Sequence, residues 1–137
     1  MRAACGFLLL LTLPASGAPV PKELRTGDER LIVGVWQLKV SKIGETDYES
    51  AIGTKWTLGA DGSAIRDRPN DGIGKATFKI DPKATPKSYD WNTEEGTTFL
   101  GVYELEGDTL RVTLTTGERP TVCKPSGNNY FEFRRLK

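Results

Sequence analysis

No histidine occurs in this chain of 137 residues, and that absence removes more chemistry than any other compositional feature. Without imidazole there is no ordinary general base near neutral pH, no Ser-His or Cys-His nucleophile pair, and no ligand for most zinc and transition-metal sites. Cysteine is almost as scarce. Of the two, Cys5 and Cys123, the first falls in an N-terminal stretch that reads as a removable leader, which leaves the second without an intramolecular partner. The run Thr121-Val122-Cys123 reads as a short apolar-leaning strand, over residues 121–124, in which the thiol is buried and unreactive. An excess of one charge is missing too. Against 18 acidic residues stand 19 basic ones, and the balance is even once Arg2 is set aside with the leader. Nothing is left over to neutralise phosphates, which argues against nucleic acid as a partner.

Long apolar runs are also lacking. Residues 3–13, centred on Phe7-Leu8-Leu9-Leu10-Leu11, make up the one extended hydrophobic stretch. At about eleven residues it is too short for a hydrocarbon core that needs about twenty, so no membrane span is expected. It has the form of a signal peptide: Arg2 before it, and the small-residue region Pro14-Ala15-Ser16-Gly17-Ala18 after it. Cleavage after Gly17 gives three expected segments: a leader over 1–17, a flexible Pro-bearing lead-in over 18–27, and a folded domain over 28–137. The expected location is therefore periplasmic or extracellular, with the chain soluble after cleavage. The domain is large enough for one core without staples.

What the chain does have is alternation. Residues 98–114 carry two apolar-rich arms around Glu106-Gly107-Asp108, a turn that joins antiparallel strands. Phe99, Tyr103 and Leu105 recur with period two on the first arm, and Leu110, Val112 and Leu114 on the second. One face of this hairpin is thus expected in a core and the other in water. An isolated hairpin cannot bury that face, so further strands are required. Trp36, Leu38 and Val40 share a parity along 35–40. Lys55-Trp56-Thr57-Leu58 continues the pattern, Ala60-Asp61-Gly62 turns the chain into 63–66, and Ala76, Phe78 and Ile80 alternate along 75–80. Short strands around 89–91 and over 130–136, the latter with Phe131 and Phe133 on one parity, complete the set. Residues 41–53, polar and carrying Gly44 and Gly53, read as a loop. Before the first strand, Thr26 and Glu29 fit a capping box for one short helix. The expected fold is all-β: a small antiparallel up-and-down barrel of about eight strands with one short N-terminal helix.

These residues also carry a family likeness. Gly34-Val35-Trp36 at the head of the first strand resembles the G-x-W signature of lipocalin-like barrels. The passages Phe78-Lys79-Ile80-Asp81-Pro82, Pro86-Lys87, Asp90, residues 101–110 (GVYELEGDTL), Arg119-Pro120 and Arg134-Arg135 are similar to the small lipocalin-like domain of unknown function expanded in the Planctomycetes. The likeness runs from about Glu29 to Lys137. It departs at Val112-Thr113, where relatives often carry a cysteine that this chain has later, at Cys123. It implies a lipocalin-like barrel and no activity. It also implies a contact at the barrel end between Trp36 and an arginine of the last strand. Arg135 shares the parity of Phe131 and Phe133, although the adjacent Arg134 leaves open that both are solvated tail charges.

Catalytic constellations are not found. Glu94-Glu95, Asp67, Asp71 and Glu104 sit in loops or on outward positions and read as solvated charge. Residues 67–72 imitate a calcium loop, but Pro69 stands where a ligand is needed and Phe78 where the bidentate glutamate belongs. Gly72-Ile73-Gly74 opens a strand, with Thr77 in place of the third glycine of a dinucleotide motif. Ser63, Ser88 and Ser126 have no base to activate them. No enzyme activity, cofactor or metal is therefore expected. The aromatics Trp36, Trp56, Phe78, Trp91, Phe99, Tyr103, Phe131 and Phe133 carry the functional question. They either line a cavity for a small hydrophobic ligand or fill the barrel, leaving a structural or protein-interaction domain that works through its loops or an edge strand. A continuous apolar cavity of about 300 Å³ or more would separate the two.

Overall fold

A computed structural model describes residues 27–125 and 128–137 of the chain. The leader over 1–17, the lead-in up to residue 26, the cap residue Thr26 and Ser126 lie outside them. In chain order the elements are a short helix α1 (Gly27–Leu31) and strands β1 (Gly34–Ile43), β2 (Thr46–Asp47), β3 (Lys55–Leu58), β4 (Ser63–Arg68) and β5 (Gly72–Asp81). Strands β6 (Ser88–Thr93), β7 (Thr98–Glu106), β8 (Thr109–Thr115) and β9 (Asn129–Arg135) follow. Gly27 is thus the first residue of α1 and not the last of the lead-in.

β1 pairs antiparallel with β3, each strand from β3 to β8 pairs antiparallel with the next, and β9 returns to pair with β1, so β1 and β3–β9 close an eight-stranded barrel. Closure removes the free edges that a sheet of this length would otherwise expose. β2 lies outside the ring against the end of β1. Only Gly107 and Asp108 connect β7 to β8, with Glu106 opposite Thr109 and Gly107 at φ +56°. That positive φ is the backbone state a two-residue hairpin turn demands, and glycine adopts it without penalty. The register places Tyr103 opposite Val112 and Leu105 opposite Leu110, so both apolar sets enter the barrel.

Three expectations are corrected. Residues 41–43 are not loop: β1 runs on to Ile43 and folds back onto β2 before a 3-10 turn at Glu49–Ala51. Val40 does not share the inward face of Trp36 and Leu38. A β-bulge between Leu38 and Val40 adds Lys39 to the strand and shifts the pairing, so Ser41, opposite Phe131, points inward instead. Finally, residues 121–124 form no strand. With Pro120 and Pro125 on either side, the segment bends across the outside of the barrel. There Arg119 donates to Asp90 Oδ1 at 2.7 Å and to the Gly101 carbonyl at 2.8 Å. This strap covers a row of outward residues, Val102, Thr113 and Tyr130, which are buried although they lie on the face expected in water. Cys123 belongs to the strap and is half-buried, its Sγ 3.9 Å from Thr113 Oγ1. Burial pushes its thiol up to about 11, so it is a poor nucleophile.

Candidate functional site

The barrel has two unlike ends. At one, α1 lies over the opening and is fastened by side chains of the ring. Trp36 is fully buried there and donates its indole N–H to the Ile32 carbonyl at 2.9 Å. Arg135, its register partner on β9, lays its guanidinium over the indole at 4.3 Å from the ring centre. The same guanidinium donates to the carbonyls of Leu31 and Val33, so one side chain seals the ring and holds the α1 connection. Gly34 makes this possible. Its φ is +143°, and a Cβ there would come within 2.7 Å of Arg135 Nη1. The spacing Gly34-x-Trp36 therefore has a mechanical reason: the glycine leaves room for the cation that covers the tryptophan.

The other fastening is Asp28 of α1, whose Oδ2 accepts from Tyr103 Oη at 2.7 Å and from Lys87 Nζ at 2.8 Å. Burial alone would raise the Asp28 carboxyl, but the Lys87 and Tyr103 hydrogen bonds together outweigh it and hold it below the usual carboxylate range. The phenol of Tyr103 is pushed far up, first by burial and then by its bond to Asp28. A group with a depressed folded-state pKa stabilises above its unfolded value, here 3.8, and loses that contribution as pH falls through the folded value. Asp28→Asn should therefore cost about 1 kcal/mol at pH 7. Urea titrations of both proteins should show the gap closing below pH 3.8. A gap of equal size in acid would mean that the carboxylate charge contributes nothing.

Between the ends the interior is filled by rings. Trp56 is the hub: it stacks on Trp91 at 4.4 Å between centres and meets Phe133 at 4.3 Å, Phe131 at 5.9 Å and Tyr89 at 6.0 Å. Tyr89 in turn meets Phe78 at 6.1 Å and Tyr103 at 6.3 Å. Its hydroxyl is wholly buried and has no hydrogen-bond partner among the described residues. An unmet hydroxyl weighs against folding, so Tyr89→Phe should leave stability unchanged or raise it by about 1 kcal/mol. Thermal melts of the two proteins decide this, and a loss above 1 kcal/mol would show that the hydroxyl is bonded in solution.

Filling stops short of the second end, where the loops after β1, β4, β6 and β8 surround an open mouth. A cavity of about 110 Å³ lies there, with Trp56, Trp91, Phe99, Phe131 and Phe133 on its walls beside Leu38 and Leu114. The eight aromatics do not share one space: Trp36, Phe78 and Tyr103 are not on its walls and pack lower in the barrel. The rim is polar, formed by Thr54, Arg66, Arg68 and Asn129. Sequence reasoning missed both arginines and Tyr89. The signal was there, because Arg66 and Arg68 share the inward parity of Ala64, and Tyr89 that of Trp91. Arg68 pairs with Asp71 at 3.0 Å. Among the described residues, Arg66 has no hydrogen-bond or ion-pair partner, and its Nε is shielded from solvent.

Among the described residues no group of three or more acidic or cysteine side chains converges as a metal site, and no helix is long and apolar enough to cross a membrane. Comparisons with protein-family models, with curated proteins and with solved structures give no significant match.

Proposed function

We propose that this is an exported, non-enzymatic binding domain of lipocalin-like type, whose barrel mouth takes a small ligand with an apolar body. The observation that carries this reading is the asymmetry of the barrel. One end is covered by α1 and the Trp36–Arg135 pair, while the other leaves a cavity walled by five aromatic rings open to the outside. A filled interior with no function at the mouth would gain stability by closing both ends. At about 110 Å³ the cavity falls short of the about 300 Å³ that marks a site for a whole lipid or drug-sized molecule, so the barrel is mostly filled, and the space left at the mouth suits a single ring or the end of a longer molecule. Export rests on the leader pattern ending at Ala15-Ser16-Gly17, and the lipocalin-like assignment on Gly34-x-Trp36 and the barrel topology.

Native mass spectrometry of the secreted protein tests the binding reading. The expected result is a co-purified small molecule that dissociates on unfolding. A clean mass, together with no response of tryptophan fluorescence to benzene-sized aromatic probes, would overturn it. The same preparation should begin at or near Ala18, and an intact Met1 would overturn export. A second reading is favoured by a different feature. Ile43, Tyr48, Ile52 and Ile73 are all exposed around the mouth, Ile73 by 70%. Such an apolar collar would serve a protein partner docking across the mouth loops, with the small cavity incidental.

A further inference from the structure

The ligand class follows from Arg66, and this step rests on the binding reading above. We propose that the barrel mouth selects a small aromatic monocarboxylate, its ring against the Trp56, Trp91 and Phe131 wall and its carboxylate on the Arg66 guanidinium.

Three observations lead there. Arg66 projects inward from β4 and forms part of the cavity rim, so a group seated in the cavity meets it. It is half-buried, yet its Nε has neither solvent nor a partner among the described residues to satisfy it. Every other half-buried arginine whose contacts are described has its carboxylate: Arg111 has Glu106, Arg119 has Asp90 and Arg135 has Asp108. Leaving one guanidinium without a carboxylate in contact at the edge of an aromatic cavity is unfavourable for folding, which is what a site kept for an anionic ligand looks like. Burial, then the nearby Arg68, pull the Arg66 guanidinium below its ordinary range, and an incoming anion offsets the repulsion from Arg68. The group stays charged throughout.

The fold also holds the side chain in place. Gly74 of β5 is its register partner, and a Cβ on Gly74 would lie 3.1 Å from Arg66 Nη2, so the guanidinium lies flat across a strand position without a side chain. Asp71, which pairs with Arg68, and Glu95, in the loop after β6, are close enough to attract Arg66, but neither forms an ion pair with it. Size sets the rest. A cavity of about 150 Å³ is enough for benzene in a dry protein interior, so 110 Å³ with an open top admits one six-membered ring whose substituent stays at the rim. A planar carboxylate is the shape a guanidinium recognises through two parallel hydrogen bonds.

The test titrates the full secreted protein with benzoate and with its neutral isostere benzamide, followed by calorimetry and by the 15N shift of Arg66 Nε. Benzoate should bind about tenfold or more tightly than benzamide and should move the Arg66 Nε resonance. Arg66→Met should abolish the preference while benzamide still binds, and Glu95→Gln should strengthen benzoate a few-fold. Lys83→Gln, which removes one positive charge in the β5–β6 turn at the covered end, should change neither. If Arg66→Met does not fold, Arg66→Lys replaces it and should weaken the preference, because an ammonium cannot make the paired bonds. Equal binding of the two probes, or an unmoved Arg66 resonance, overturns the carboxylate assignment alone. If neither probe binds, the binding reading falls and the assignment with it.

Discussion

Replacing Trp36 with alanine is expected to cost about 3–5 kcal/mol of folding stability, the range for truncating a large buried aromatic. The indole is fully buried, hydrogen-bonded to the Ile32 carbonyl and covered by Arg135. Its loss would leave a void beneath α1 and free the guanidinium that fastens the helix connection. Arg135→Ala should cost less, about 2 kcal/mol, from the cation–π contact and the bonds to the Leu31 and Val33 carbonyls. In a Trp36→Ala background the arginine should matter much less, because residues that share a contact are not additive. Arg135→Lys should not rescue, since one ammonium cannot lie over the ring and also reach two carbonyls. Denaturant titrations of the four proteins close the cycle. Strictly additive losses would show that the pair contributes nothing as a pair.

How much of this end was legible in sequence depends on parity. Trp36 and Phe133 lie on regular alternation, and Arg135 continues it, so a closed barrel brings Trp36 and Arg135 together without knowledge of any atom. The hairpin at Gly107-Asp108 was legible for the same reason: its turn chemistry fixes the register, and every residue behind it follows. Val40 was not. Nothing in Leu38-Lys39-Val40 announces an extra residue, because a bulge is decided by the pairing strand, here the stagger of Phe133 and Glu132 on β9. The strap failed differently. Thr121-Val122-Cys123 has strand-like composition, but Arg119 anchors the segment to Asp90 and Gly101 across the outside of the sheet, a tertiary contact that overrides local preference.

The mouth was half legible. Aromatic residues on inward positions announce an apolar interior, but volume is a property of how the rings stack, and Trp56 on Trp91 at 4.4 Å consumes space that parity cannot count. Arg66 and Arg68 were overlooked because charged residues on a strand are ordinarily read as solvated. Their parity with Ala64 was the stronger clue. On a strand, position within the alternation outranks side-chain type where the barrel opens and the inward face meets water.

Trp56 joins the filled core to the open mouth, and its removal should have two separable effects. Trp56→Ala should destabilise by about 3–5 kcal/mol, since the side chain is only 4% exposed and touches Tyr89, Trp91, Phe131 and Phe133. The void it leaves would adjoin a cavity that already reaches the outside. Free indole should therefore enter and restore part of the loss, about 2.7 kcal/mol when present at a hundredfold excess over its dissociation constant. The Trp36→Ala void, sealed under α1 and Arg135 at the far end, has no such entrance and should respond far less. Thermal melts of both variants with increasing indole measure the difference. Rescue of Trp56→Ala alone is the signature of a mouth that is open in solution. Equal response of the two variants, or of neither, would mean that the rings close the mouth and that the barrel is solid from end to end.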